Sequence, residues 1–265
     1  MISLIQLLKE SLSNPKALIL AGAPGSGKGS ILQDLDLKGL TILNVDDNIL
    51  ALSKIENFSL NQKDTSAKDR SKFMKAMQNA SKKLKQEQLP KIIANKESFI
   101  LDGTSSSSEP TLELKNKLQE SGYDVMMLYV YTDLETSLKR NQNRFEKSKG
   151  KDRSLVPSSI LQTWLKVSEN FPIYKKSFSN FVSVSNLGKK ETMKSVEDIL
   201  KNYIYPFIPR DGRDKTDKEK LRDEKNKEKL NKDLQSFLQS DKTQNIIASS
   251  VSKEEAQSKI NQFLK

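Results

Sequence analysis

The sequence predicts an α/β fold in which a five-stranded parallel sheet is flanked by helices. Five apolar segments have the length of strands, and each is separated from the next by a segment that can form a helix. Segments such as ALILA and MMLYVY are almost continuously apolar, which is typical of strands buried on both faces of a sheet. The predicted strands cover residues 17–21, 41–45, 98–101, 124–131 and 180–184.

Composition limits the chemistry that the chain can perform. Its 265 residues include no cysteine and no histidine, which excludes disulfide scaffolds, thiol nucleophiles, histidine-containing triads and the usual zinc sites. Acid–base chemistry must then use Asp, Glu, Lys or Tyr, and a metal would be a hard, oxygen-liganded ion such as Mg²⁺. The net charge of +11 favours attraction to nucleic-acid phosphates, although the basic residues are spread over the whole chain.

The N-terminal segment has apolar residues at near-helical spacing, and Lys9 and Glu10 interrupt it. This pattern predicts a short amphipathic helix rather than a secretory signal. No apolar run approaches the roughly 20 residues that are needed to span a bilayer. We therefore expect a cytoplasmic protein without a membrane partner.

Two helical regions interrupt the alternation of strands and helices. The region 47–97 is too long for one crossover, and its apolar residues recur in steps of three and four, so we expect a helical insert over one end of the sheet. After the fourth strand comes a basic segment, 139–153, and Pro157 then begins a helix that contains Trp164. A further helix is expected over 191–203.

The composition changes beyond the segment PFIP at residues 206–209. Residues 210–229 are mostly charged, and acidic residues precede basic ones by four positions, which favours a solvated helix. An apolar stripe follows, formed by Leu230, Leu234, Phe237 and Leu238. We therefore predict one domain over 1–207 and a mobile, charged, helical extension over 208–265, with a stripe available to a protein partner.

The most specific motif is GAPGSGKGS at residues 22–30, which follows the first strand and leads into a helix start. Its four glycines let the backbone wrap with its N–H groups inward, and the helix N-terminus adds its positive end. Lys28 supplies a charge for nucleotide phosphates, and the Ser30 hydroxyl can bind Mg²⁺. The motif thus predicts a P-loop fold that binds ATP. The nucleotide-binding residues are Gly22, Ala23, Pro24, Gly25, Ser26, Gly27, Lys28, Gly29 and Ser30.

Carboxylates follow two of the predicted strands. Asp46 and Asp47 follow the second strand, and Asp102 follows the third. Because ligands of open parallel sheets bind at the carboxyl ends of the strands, these groups suit phosphoryl transfer. Asp102 can orient Mg²⁺ through water, and Asp46 can accept a proton from a substrate hydroxyl. The alternatives are a helix N-cap for Asp46 or Asp47 and a turn residue before glycine for Asp102.

Three arginines are further candidates. Arg140 and Arg144 are one helical turn apart, so both guanidinium groups can face one ligand and neutralise charge on a transferring phosphoryl group. The alternative is a solvated basic loop. Arg70, the only arginine of the insert, is a candidate contact for an anionic acceptor.

Together these motifs resemble the zeta-toxin and polynucleotide-kinase-like branch of P-loop kinases. The phosphate loop, VDD at 45–47, DGT at 102–104 and the R-x-x-x-R segment ahead of the tryptophan-containing helix carry the resemblance, which covers about residues 16–200. The resemblance implies that Lys28 and Ser30 lie on the ATP–Mg²⁺ side. It also implies that Asp46, or next Asp47, is the base or ligand of the substrate hydroxyl. Arg140 and Arg144 would then belong to a lid over 139–160.

The leading hypothesis is an ATP-dependent kinase that phosphorylates a hydroxyl on a small molecule, a nucleotide-sugar or a nucleic-acid 5′ end. In this hypothesis the helical insert shapes the acceptor site. A kinase specialised for nucleic-acid ends is a second hypothesis. The third is a nucleotide-binding regulatory or structural module that binds a partner through its C-terminal helices.

Overall fold

The computed structural model describes residues 14–35, 37, 40–60, 66–147, 155–188, 196–204 and 217–265. Its five strands form one parallel sheet in the order β2-β3-β1-β4-β5. Each predicted strand is confirmed to within one residue at either end. The strands are β1 (Lys16–Ala21), β2 (Thr41–Asn44), β3 (Phe99–Asp102), β4 (Asp124–Tyr131) and β5 (Asn180–Ser185).

Helices connect the strands and cover both faces of the sheet. They are α1 (Lys28–Leu32), α2 (Val45–Glu56), α3 (Ala67–Lys83), α4 (Leu89–Ala94), α5 (Ser108–Glu120), α6 (Leu134–Lys147), α7 (Pro157–Ser177), α8 (Val196–Ile199), α9 (Asp217–Gln239), α10 (Lys242–Ala248) and α11 (Lys253–Leu264). Two π-helical turns, Leu84–Gln88 and Leu200–Ile204, follow α3 and α8. Within the ranges given above, no helix combines the length and the apolar character that a membrane crossing requires.

The central strands are apolar throughout because both of their faces are covered. In β1, Ile19 belongs to the apolar cluster on one face of the sheet, whereas Leu18 and Leu20 belong to the cluster on the other face. In β4 the same alternation separates Met127 from Leu128, and all of these side chains are almost completely buried. A parallel sheet with helices on both faces requires this pattern.

The helical insert is confirmed and lies between β2 and β3. Its helices α2 and α3 pack around a separate small apolar cluster formed by Ile49, Phe58, Phe73, Ala76 and Ala80. Between α3 and α4 the helix widens into a π turn, in which the backbone N–H of Leu89 donates to the carbonyl of Leu84. Pro90 follows at once, and because proline has no N–H to donate, the wider turn accommodates it within a continuous helical rod.

The C-terminal helices are present as predicted, but their packing corrects the expectation of a mobile extension from residue 208. Leu234 and Phe237 of α9 are buried beside Trp164 on one face of the sheet, and Ile260 of α11 is buried on the other face. Val251 adds a parallel bridge to β5, with its N–H donating to the carbonyl of Ser183 at 2.8 Å. The apolar stripe that suggested a protein partner therefore packs within this chain.

Some predictions fall on residues outside those described. They are residues 1–13 of the predicted N-terminal helix, residues 148–154 of the predicted lid over 139–160, and the predicted domain boundary at residue 207. The predicted helix over 191–203 is described from residue 196, where α8 and its π turn are helical.

Candidate functional site

The phosphate loop joins β1 to α1, as the motif predicts. Gly25 and Gly27 have φ angles of 79° and 96°, in the left-handed region that favours glycine. A Cβ atom at Gly25 would lie 2.7 Å from the carbonyl oxygen of Ser137, and one at Gly27 would overlap the side-chain amide of Asn186. Glycine is therefore needed at both positions because the loop lies directly against α6 and the segment after β5.

Lys28 begins α1, and its side chain folds back over the loop. Its Nζ donates to the carbonyl of Gly22 at 2.8 Å and to that of Ala23 at 3.2 Å. The ammonium group is thus held at the mouth of the loop, at the carboxyl end of β1. A cation in this position is suited to the β- and γ-phosphates of a nucleotide.

Three side chains hold the outer side of the loop, and we call Ser137, Arg140 and Asn186 the loop bracket. The Ser137 hydroxyl donates to the carbonyl of Pro24 at 2.5 Å. Arg140 Nη1 lies 3.2 Å from the carbonyl of Gly25, 3.4 Å from that of Ser26 and 3.2 Å from that of Asn186. Asn186 Nδ2 donates to the Ser26 carbonyl at 2.7 Å. Sequence reasoning missed Ser137 and Asn186; the one available signal was a polar residue directly after β5.

Asn44 joins the ends of two neighbouring strands. It is in register with Asp102, and its Nδ2 donates to Asp102 Oδ2 at 3.0 Å. Its Oδ1 accepts from the backbone N–H of Asp46 at 2.8 Å, which makes Asn44 the N-cap of α2. Asp46 and Asp47 therefore lie in the first turn of α2, and neither is the N-cap that the sequence left open.

The Asp102 carboxyl lies where the charges of the site meet. Burial raises its pKa above the ordinary value of 3.8, and the negative charges of Asp46 and Asp47 raise it further. The positive charges of Lys28 and Arg144 oppose this shift. The phosphate-loop lysine, the carboxylates after β2 and β3 and one arginine of α6 thus share one region.

Replacing Asp102 with Asn is expected to raise the free energy of unfolding at neutral pH and to lower activity by about tenfold or more. Because burial makes the folded state bind the Asp102 proton more tightly, the wild type is destabilised once that proton is lost. The variant's gain in the free energy of unfolding should be largest at pH values above the raised pKa and should shrink as the pH falls through it. The gain should vanish below pH 3.8, where Asp102 is protonated in both the folded and the unfolded wild type. Urea unfolding from pH 3 to pH 8 measures the difference; a variant less stable at neutral pH contradicts the expectation.

The two arginines of α6 differ in burial. Arg140 is half-buried, and burial lowers its pKa while nearby Asp133 raises it. Its guanidinium group bonds to carbonyls on the outer side of the loop. That both arginines face one ligand stays a prediction. Arg144 is exposed, and its charge acts on Asp102. Arg70 lies half-buried in the first turns of α3, and its contact with an acceptor stays a prediction.

Gly29 and Ser30 are both exposed at the start of α1. A Cβ atom at Gly29 would meet no heavy atom within 4 Å, and its backbone is not in the left-handed region. We expect Gly29→Ser to fold normally and to gain about 0.5 kcal/mol, because serine has the higher helix propensity. Thermal unfolding checks this expectation. Gly25→Ser, at a crowded position with positive φ, is the contrasting variant and should be strongly destabilised.

The oxygen donors of the site fit Mg²⁺ only together with phosphate. Among the residues described, no three His, Cys, Asp or Glu side chains form a group that could hold a metal ion. Magnesium is commonly bound by one or two carboxylates together with substrate phosphates and water. The Asp102 carboxylate and the Ser30 hydroxyl near the phosphate loop are donors of the kind that this arrangement requires.

Comparison with solved structures finds similar folds at low sequence identity. A chain from the PezAT toxin–antitoxin system of Streptococcus pneumoniae is 17% identical, with a TM-score of 0.47, over 84% of this chain and 88% of that one. A chain of the AvrRxo1-ORF1:-ORF2 structure with ATP is 20% identical, with a TM-score of 0.49, over 67% and 56%. A chain of the Pnkp1/Rnl/Hen1 RNA repair complex is 21% identical, with a TM-score of 0.40, over 60% and 46%.

Comparison with protein families gives the assignment. No curated protein matches the chain. The family model described as zeta toxin matches residues 4–194, which is well over half of the sequence and includes the phosphate loop, the insert and α6. The chain therefore belongs to the zeta toxin family, and it is an ATP-binding P-loop kinase.

Proposed function

We propose that this kinase transfers the γ-phosphoryl group of ATP to a hydroxyl group of a small molecule, a nucleotide-sugar or a nucleic-acid 5′ end. The observation that carries the proposal is the pair of hydrogen bonds by which Asn44 joins Asp102 to the first turn of α2, where Asp46 lies, at the strand ends beside the phosphate loop that holds Lys28. A cation for phosphates, a carboxylate for a metal and a second carboxylate for an acceptor then lie in one region. Phosphoryl transfer needs these parts together because its catalysis depends on positioning and on charge stabilisation.

Asp46 is the proposed base. In the transfer, the bond between the γ-phosphorus and the β–γ bridging oxygen breaks, and a bond from the γ-phosphorus to the acceptor oxygen forms. The acceptor proton passes to the Asp46 carboxylate, and ADP leaves with the bonding electron pair. Asn44 supports this role because it caps α2 and holds the Asp46 backbone beside the strand end. Asp47, in the same turn, is the proposed second contact of the acceptor.

Lys28 and Arg144 are the proposed cationic groups. Lys28 Nζ is held at the loop mouth by two carbonyl oxygens, where it would meet the β- and γ-phosphates. Arg144 is exposed on α6, and its charge already reaches Asp102, so it would neutralise charge on the transferring group. Arg140 contacts the loop from outside and would act through the loop.

Ser30 and Asp102 are the proposed protein ligands of Mg²⁺, with Asp102 acting through water. When bound, the ion would neutralise phosphate charge and orient the transferring group. Asp102 can help to hold Mg²⁺ only when its carboxyl group is ionised. Because burial raises the pKa of this group, activity should fall as the solution becomes acidic.

The acceptor site is proposed to lie between the insert and the carboxylates. Helix α2 carries Asp46 and Asp47 at its first turn, and α3 packs along it through the insert's own apolar cluster. Arg70 on α3 is the proposed contact for an anionic part of the acceptor.

The proposal is tested with γ-labelled ATP, Mg²⁺ and a panel of 5′-hydroxyl DNA and RNA, nucleosides, nucleotide-sugars and small polyols. Label transfer to one class is expected from the wild type. Asp46→Asn should lower kcat by about a hundredfold or more, because general base catalysis contributes 10²–10⁴-fold. The matched control is Asp69→Asn, an acidic residue in the first turn of α3 that faces Ser66, and it should keep wild-type transfer.

Two results would contradict the proposal. If Asp46→Asn transfers phosphate as fast as the wild type, Asp46 is not the base. If the wild type binds ATP but phosphorylates no hydroxyl class, the proposed reaction is wrong. For nucleic-acid acceptors, a steep decrease of binding with salt is expected, because released counterions contribute to the affinity.

A further inference from the structure

Three consecutive carbonyl groups of the phosphate loop are held from outside the loop. Pro24 accepts from Ser137, Gly25 accepts from Arg140, and Ser26 accepts from both Arg140 and Asn186. A phosphate loop binds anions through N–H groups that face inward. Because each peptide unit is planar, fixing a carbonyl on the outer side also fixes the direction of the N–H in the same unit.

The loop bracket is itself anchored in the core. The Asn186 N–H donates to the carbonyl of Tyr131 at 2.8 Å, and the Asn186 carbonyl accepts from the Thr132 hydroxyl at 2.8 Å. The carbonyl of Thr132 in turn accepts from Trp164 Nε1 at 2.7 Å. Thr132 and Trp164 are both almost fully buried. The bracket thus ties the loop to the end of β4 and to a tryptophan in the core of the fold.

Asn186 connects the members of the bracket. Its side-chain amide donates to the loop, and its backbone carbonyl accepts from Arg140 Nη1 at 3.2 Å. It is also the side chain that a Cβ at Gly27 would overlap, so the loop and the amide are in direct contact. A loop held along its outer side in this way has little conformational freedom to lose when it binds phosphate.

From these contacts we propose that Asn186 and Arg140 are positioning residues that set the affinity of the loop for the nucleotide's phosphate chain. This inference rests on the loop being the phosphate site of the proposed kinase. It differs from the lid role expected for Arg140, because the guanidinium group acts through backbone carbonyls. It also assigns a function to Asn186, a residue after the last strand of the sheet.

The experiment measures the Kd of inorganic triphosphate and of ATP by calorimetry, without any acceptor. Asn186→Ala is expected to weaken binding of both ligands by about tenfold, since one net hydrogen bond is worth about that factor. Arg140→Met, which removes three contacts and a charge, should weaken binding by at least as much. The double variant should lose less than the product of the two factors, because both residues act on one loop.

Two further variants separate positioning from other effects. Asn170→Ala removes a hydrogen bond of the same kind, from a side-chain amide to the carbonyl of Ser106 at 3.1 Å, outside the phosphate loop. This variant should keep triphosphate affinity within about twofold of the wild type. Arg140→Lys keeps the charge but lacks the forked guanidinium group. It should therefore bind triphosphate nearly as weakly as Arg140→Met.

Distinct results would overturn the inference. Positioning by the bracket is contradicted if Asn186→Ala binds triphosphate as tightly as the wild type. It is also contradicted if Arg140→Lys keeps wild-type triphosphate affinity, or if Asn170→Ala loses as much triphosphate affinity as Asn186→Ala. A wild type that does not bind triphosphate would contradict it as well. If the wild type binds triphosphate but phosphorylates no acceptor, the proposed function is wrong. The triphosphate affinities of the bracket variants would still test the present inference.

Discussion

Replacement of Lys28 by Met should lower phosphoryl transfer by about a thousandfold while the fold stays intact. The Lys28 ammonium is held at the loop mouth, where a partly buried positive charge stabilises phosphate charge far better than it would in water. The variant should also move the acid limb of the pH–activity profile to higher pH. The reason is that the charge of Lys28 now lowers the pKa of Asp102, and its loss lets that pKa rise further.

The control is Lys16→Met, at the opposite end of β1. Lys16 pairs with Asp124 at 2.7 Å, away from the phosphate loop, so this variant should lose at most about 1 kcal/mol of stability and no transfer activity. Steady-state kinetics from pH 5 to pH 9 gives both readouts. An unchanged kcat in Lys28→Met would show that the loop is not the site of the transferred phosphate.

Removal of residues 249–265 should abolish cooperative folding. Ala256 and Ile260 of α11 are fully buried against β1 and β4, and residue 251 bridges to β5. Loss of one such buried aliphatic side chain costs about 2–5 kcal/mol, and a domain is stable by only about 5–15 kcal/mol in total. Taking away the whole helix would also expose Leu18 and Leu20 of the central strand to water.

Point variants make this expectation quantitative. Ile260→Ala should lose about 2–5 kcal/mol in urea unfolding, whereas Ile55→Ala should lose less than about 0.5 kcal/mol because Ile55 is 79% exposed. If the truncated chain unfolds cooperatively and binds ATP like the full chain, the packing of α11 is not needed for folding. That result would support the separate extension that the sequence predicts.

The parts of the fold that depend on local patterns could be predicted. Apolar runs of strand length identified all five strands, because a strand buried on both faces carries its own signal. The phosphate loop could also be predicted, since the spacing of glycine and lysine between a strand and a helix determines its backbone geometry. The positions of Asp46 and Asp102 at the carboxyl ends of β2 and β3 could also be predicted, whereas their roles stay predictions.

Contacts between distant segments could not be predicted in this way. The stripe containing Leu234 and Phe237 has the same spacing whether it faces its own sheet or a partner, so periodicity alone could not decide between them. Helical spacing aligned Arg140 with Arg144, but it could not show that Arg140 bonds to carbonyls of the phosphate loop. Asn186 had no motif, because its role comes from proximity to a loop about 160 residues earlier in the chain.

The packing of α11 has a consequence for the order in which the chain can fold during synthesis. Gln257 of this helix bonds to Asp34, just after α1, across 223 residues of sequence. At about 5–20 residues per second, a ribosome needs roughly ten to forty-five seconds to make the intervening chain. Throughout that interval Leu18 and Leu20 of β1 can pack against Ile31 but lack the part of their cover that α11 provides. The apolar core on this face of the sheet can therefore be completed only near the end of synthesis, and until then the incompletely covered face favours aggregation.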